Sequence, residues 1–119
     1  MAFAKLGVVV LDCPDPRALA EFYAGVLGGI VEDQGEWVEL KLPDGQALAF
    51  QATPGYVPPK WPAPDHSQQF HLDLVVADLD AAEKEALALG AKALDTEDRS
   101  RTFRVYADPV GHPFCLCLS

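Results

Sequence analysis

The chain has 119 residues, half of them apolar, which is enough for one compact domain with a real core and no stapling disulfides. Eighteen acidic against nine basic side chains give a formal charge of −9, which repels phosphate backbones and anionic lipid surfaces and excludes nucleic acid and membrane as partners. Apolar runs are far shorter than the roughly 20 residues of a membrane span, and the N-terminus meets acid and proline before a signal-peptide core could develop, so a cytoplasmic, soluble protein is expected.

Cys13, Cys115 and Cys117 make an odd count, which suits reduced thiols better than a disulfide framework. Cys115 and Cys117 flank one residue of an expected strand. Both then point to one face, at a separation that suits a disulfide poorly.

In chain order, residues 6–11 (LGVVVL) read as an apolar strand. Asp15 follows as a helix N-cap, with Pro16 at the first helical position, where its missing N–H costs nothing. Leu19, Phe22, Tyr23, Val26 and Leu27 then form the strongest helical stripe in the chain, with Phe22 and Tyr23 as its anchors against a sheet, and Gly28 ends it. Short strands are expected at 29–34 and 36–42, the second carrying Trp37, Val38, Leu40 and Leu42. Pro43-Asp44-Gly45 is a turn, and 46–52 is a further strand with Leu48 and Phe50 on one face and Ala47, Ala49 and Gln51 on the other.

Residues 53–68 are too rich in proline for either regular element, with Pro54, Pro58, Pro59, Pro62 and Pro64 interleaved with Tyr56 and Trp61. The stretch reads as an extended linker; a lid in which Tyr56 and Trp61 cover a pocket is compatible with that. His66 belongs to it. The second half then repeats the first. Phe70, Leu72, Leu74 and Val76 alternate with His71, Asp73 and Val75, which puts His71 and Asp73 on a common strand face. Asp78 or Asp80 caps a helix over 79–89, Glu83 stands as the capping-box partner of Asp80, and Gly90 supplies the left-handed exit. Strands at 91–97, 101–107 and 113–118 complete the chain, joined by turns at 98–100 and at Asp108-Pro109-Val110-Gly111. His112, just after the second turn, is expected at the surface, whereas Trp37, Phe50, Phe103, Tyr106 and Phe114 are expected to pack.

Two βαβββ modules in tandem, carried by DPRALAEFYAGVLGG at 15–29, FHLDLVVADLDAA at 70–82 and ADPVGHPFCLCL at 107–118, resemble the vicinal oxygen chelate superfamily over essentially the whole chain. This is the glyoxalase, bleomycin-resistance and extradiol-dioxygenase group. The resemblance implies an α+β fold: module 1 over 1–52, the linker over 53–68 and module 2 over 69–119, forming one domain. Its cupped, pseudo-twofold sheet would surround a cavity, with the helices outside. It also implies four metal positions, which fall on Gly7 or Val8, on Gln51, on His71 and on Cys115, with Cys117 on the same face.

Glycine and valine cannot ligate through a side chain, and a cysteine stands where the superfamily's last-strand glutamate is usual. The implied set is therefore incomplete: His71, Gln51 and Cys115. The leading expectation is a small-molecule-binding protein of the glyoxalase and bleomycin-resistance type that needs no cofactor. Gln51, Tyr56, Trp61, His71 and Asp73 would be its ligand-binding residues, and a cationic aromatic molecule its ligand. The alternative is a lyase, isomerase or dioxygenase with a divalent metal on His71, Gln51 and Cys115 or Cys117, and with Asp73 as the catalytic base. Buried thiols without a cationic neighbour are core residues rather than nucleophiles. A monomer or a homodimer is compatible with two modules in one chain.

Overall fold

The computed structural model describes residues 2–61, 63, 65, 67 and 70–119. Pro62, Pro64, His66 and Gln68 of the linker, and Gln69, lie outside the described residues. The order of elements is β1 (Val9–Cys13), α1 (Pro16–Leu27), β2 (Ile30–Asp33), β3 (Trp37–Lys41), β4 (Ala47–Ala52), β5 (Leu72–Val75), α2 (Leu79–Leu89), β6 (Lys92–Asp95), β7 (Phe103–Ala107) and β8 (Pro113–Cys117). This is the expected α+β arrangement of two βαβββ modules. The chain divides into two compact units, Met1–Tyr56 and Val57–Ser119. Among the described residues no helix is long and apolar enough to cross a membrane.

Each unit holds one sheet, and the two have the same topology, β1-β4-β3-β2 and β5-β8-β7-β6. The opening strand of each module lies at a sheet edge, parallel to the last strand of its own module, while the other pairings are antiparallel.

In the first unit the Asp15 side chain accepts the Ala18 N–H at 3.2 Å, and Pro16 opens the helix. Leu19, Ala20, Phe22 and Tyr23 are buried on α1; Phe22 meets Tyr23 edge-on at 4.9 Å, and Tyr23 stacks on Phe50 at 5.7 Å. Val38 and Leu40 of β3 pair with Phe50 and Leu48 of β4 on the same sheet face, and all four are buried. At the exit from α1 the backbone crosses so close to β3 that a Cβ on Gly29 would lie 2.4 Å from the Lys41 carbonyl oxygen, and φ there is +101°. Only glycine fits.

Three local expectations are corrected. β1 begins at Val9 rather than at residue 6, because its partners in β4 run only from Leu48 to Ala52, and Leu6 is left 85% exposed. β5 is confined to Leu72–Val75, and Phe70 is exposed. Asp78, not Asp80, caps α2, its side chain accepting the Ala81 N–H at 3.1 Å.

Glu83 has no part in that cap. It accepts the Tyr106 hydroxyl at 2.8 Å and lies 3.2 Å from Arg99 and 3.6 Å from the buried Arg104, whose Nη2 donates to Asp80 at 2.8 Å. Arg104 holds Asp80 below the ordinary carboxylate range, and burial, followed by the Glu83 carboxylate, raises the Tyr106 phenol. A charged network thus fastens α2 to its sheet, where α1 uses hydrocarbon.

Phe22→Ala is expected to destabilise the protein by about 3–5 kcal/mol, since it removes a buried aromatic ring and its edge-on partner contact. Urea denaturation checks this; a loss under about 1 kcal/mol would mean that α1 does not anchor through Phe22.

Candidate functional site

The face of the second sheet turned away from α2 carries the site. Parallel pairing sets Asp73 opposite Cys115, and antiparallel pairing sets Cys115 opposite Val105 and Cys117 opposite Phe103. These residues, with Trp61, His71, Asp95, Arg101 and Thr102, line a cavity of about 460 Å³. That is within the usual range for small-molecule sites. His71 and Trp61 stack at 5.0 Å with 17° between their planes, and His71 Nε2 lies 3.2 Å from Asp73 Oδ1. Asp73 therefore orients the imidazole, which is seated against the indole of the proline-rich segment.

The Cys115 thiol is pushed up to about 12, by burial first and then by the neighbouring Asp73 carboxylate, and Cys117 is raised for the same two reasons. Both are protonated at neutral pH, free of disulfides, and weak as nucleophiles. At the far side Arg101 is ion-paired with Asp95, Nη2 to Oδ1 at 2.7 Å, and its guanidinium lies 4.6 Å from the Phe103 ring centroid.

Of the residues expected from the sequence, Trp61, His71, Asp73 and Cys115 come together in this unit. Gln51 and Tyr56 belong to the first unit. Gln51 is exposed, with its Nε2 3.4 Å from Asp12 Oδ1, and Tyr56 borders a recess with Pro14, Thr53 and Pro54. Asp95, Arg101, Thr102 and Val105 were not expected, and Phe103, expected to pack, is a partly exposed cavity wall. The RTF tripeptide after a polar turn carries no signal that it faces a cavity. His112, expected at the surface, is half-buried, its Nδ1 2.8 Å from the fully buried Asp108. Asp108 also accepts the backbone N–H groups of Val110 and His112 at 3.0 Å each, so it organises the turn before β8.

The register also revises the correspondence between modules. Val10 stands five residues before the Asp15 cap, as Asp73 stands before the Asp78 cap, and Val10 pairs with Ala49 as Asp73 pairs with Cys115. The counterpart of Cys115 is therefore Ala49, and that of Cys117 is Gln51. At the positions matching His71, Asp73 and Cys115, module 1 offers Val8, Val10 and Ala49, none with a donor atom. Module 2 brings donor atoms of His71, Asp73 and Cys115 within 4.8 Å of one another. A tetrahedral ion with bonds of about 2.0–2.3 Å needs its donors closer than that limit, and it needs a thiolate. The residues do not supply the superfamily's four-position metal set.

Paired βαβββ modules with this strand order define a protein of the vicinal oxygen chelate superfamily. The sequence matches the glyoxalase-like domain family over residues 8–117, and the chain belongs to that family. No curated protein matches it. Among solved structures, a glyoxalase/bleomycin resistance protein/dioxygenase family enzyme from Burkholderia phytofirmans PsJN is 18% identical, with a TM-score of 0.72 over 95% of this chain and 97% of its own. The fosfomycin resistance protein FosX from Mesorhizobium loti is 14% identical, with a TM-score of 0.70 over 100% of this chain and 94% of its own. The oxidase ChaP-H2 is 20% identical, with a TM-score of 0.67 over 99% and 95% respectively. At such identities the likeness is one of fold.

The raised thiols predict a pH profile. Alkylation of Cys115 by iodoacetamide, followed by peptide mapping in a Cys117→Ser background, should be very slow at pH 8, where about one thiol in ten thousand is ionised, and should rise nearly tenfold per pH unit up to pH 10. Asp73→Asn should shift the profile to lower pH. A plateau below pH 9 would refute the assignment.

Proposed function

We propose that the protein binds a small organic molecule carrying an aromatic ring and a positive charge, in the cavity of its second unit, without a resident metal. The observation that carries this reading is the Trp61–His71 stack set beside the Asp73 carboxylate at the rim of a cavity floored by Val105, Cys115 and Cys117. The stack offers a flat surface to a ring, and the carboxylate offers a counter-charge to an ammonium or amidinium group. A net charge of −9 favours the approach of a cation over that of an anion. Three cysteines outside any disulfide suit a reducing compartment, and a cytoplasmic place of action is part of this reading.

A second reading is favoured by one observation, the clustering of His71, Asp73 and Cys115 within 4.8 Å. On it the protein is a metal-dependent lyase, isomerase or dioxygenase acting on a small oxygenated substrate, with these three residues as ligands in place of the set implied by resemblance. Asp73 would then be a ligand and not the free base.

Two titrations separate the readings. In a Trp37→Phe background, Trp61 fluorescence should respond saturably to phenethylamine and not to phenylpropionate, and Asp73→Asn should weaken the amine about tenfold. Calorimetry with zinc, nickel, manganese and iron(II) should show no saturable binding. Tight one-to-one metal binding that is lost in His71→Ala would overturn the proposal in favour of the second reading.

A further inference from the structure

The two sides of the cavity differ in charge and are held apart by the sheet itself. Asp73, Cys115, Val105 and Asp95 form one register row across β5, β8, β7 and β6. Its ends are three strand spacings apart, about 14 Å.

Asp95 stands in that row because β6 is irregular. Ala93 pairs with Tyr106, so regular pairing would set Leu94 against Val105 and turn Asp95 to the helix side, beside Arg104. The register shift between Ala93 and Asp95 instead sets Asp95 against Val105, on the cavity face. There it fixes Arg101: Nη2 donates to Oδ1 at 2.7 Å and to the Asp95 carbonyl oxygen at 3.2 Å, and Nη1 donates to Oδ2 at 3.4 Å. Phe103 supports the guanidinium from one face at 4.6 Å. A guanidinium held on two sides has lost most of its freedom before any ligand arrives. Its Nε–H is buried and has no partner among the described residues.

We propose that Arg101 is a specificity-determining residue that donates a hydrogen bond to an oxygen of the bound molecule, at the end opposite to the cationic group that Asp73 receives. This rests on the organic-ligand reading above and narrows it. Because Asp95 already neutralises Arg101, the oxygen is a neutral one, a phenol or a carbonyl, rather than a carboxylate. The ligand class is an aromatic amine-bearing molecule with an oxygen substituent across the ring.

The test compares tyramine with phenethylamine, which differ only in that ring oxygen, by Trp61 fluorescence in a Trp37→Phe background. Tyramine should bind about tenfold more tightly, and in Arg101→Met the tyramine-to-phenethylamine ratio should fall to about one, with phenethylamine still binding saturably and no more weakly than before, since the change leaves Asp95 uncompensated. Arg101→Lys, which keeps the charge but not the fork, should lose most of the advantage too and serves if the methionine variant does not fold. Equal affinities in the parent protein, or an advantage preserved in the variants, would overturn the role of Arg101 alone. Absence of saturable binding by either amine would overturn the organic-ligand reading beneath it, and the role of Arg101 with it.

Discussion

Strand β5 lies parallel to β8 with Leu72 opposite Phe114 and Asp73 opposite Cys115, and a slip of one residue would turn His71 and Asp73 to the helix side. The site follows from that register. Phe114 and Leu116 hold it from one side, both buried, with Phe114 stacked on Tyr106 at 5.7 Å. Beyond the ladder, the Val76 N–H donates to the Cys117 carbonyl oxygen at 2.8 Å, just before the Asp78 cap turns the chain into α2. A four-residue edge strand would be weakly specified alone. Bounded by that cap and backed by that core, it has one alignment that turns its half-buried leucines toward the helix side.

The two modules share a topology and have diverged in what fills it. Val38 and Leu40 on β3 match Arg104 and Tyr106 on β7, and Ala20 on α1 matches Glu83 on α2. Where the first unit packs hydrocarbon, the second buries a guanidinium and a phenol against two helix carboxylates. Such networks hold their members in fixed geometry but add little net stability, because desolvation offsets much of the attraction. The same exchange has occurred on the other sheet face, where Val8, Val10 and Ala49 stand for His71, Asp73 and Cys115. Module 1 thus keeps a hydrophobic core and no chemistry at these positions. Module 2 carries the polar groups on both faces.

Much of this was legible in the chain. Hydrophobic period, the Asp15-Pro16 start, the glycine exits and the repeat itself led to eight strands and two helices, and the alternation of residues 70–76 put His71 beside Asp73. What stayed hidden depends on pairing between distant segments. Asp80 and Glu83 fit a capping box by spacing, yet Arg99, Arg104 and Tyr106 claim them through tertiary contact. Counting from the repeats placed Gln51 where only the ladder shows Ala49. The Asp95–Arg101 pair rests on a bulge, and a bulge reverses the face that alternation assigns to a side chain.

Charge within the cavity sets what each of the two readings requires. Asp95 and Arg101 cancel, and both thiols are held neutral, so Asp73 is the carboxylate left to set the field, with His71 3.2 Å away. That same carboxylate helps keep Cys115 protonated while no cation is bound. Asp73 can be neutralised by a metal ion, which would also draw the proton from Cys115, or by an organic cation, which needs no thiolate at all. Both compete for one negative charge. A metal would have to replace the His71–Asp73 contact with bonds to itself. On the proposed reading, the organic cation meets a stacked aromatic wall and an oriented carboxylate already in place, and that preorganisation is what the proposal rests on.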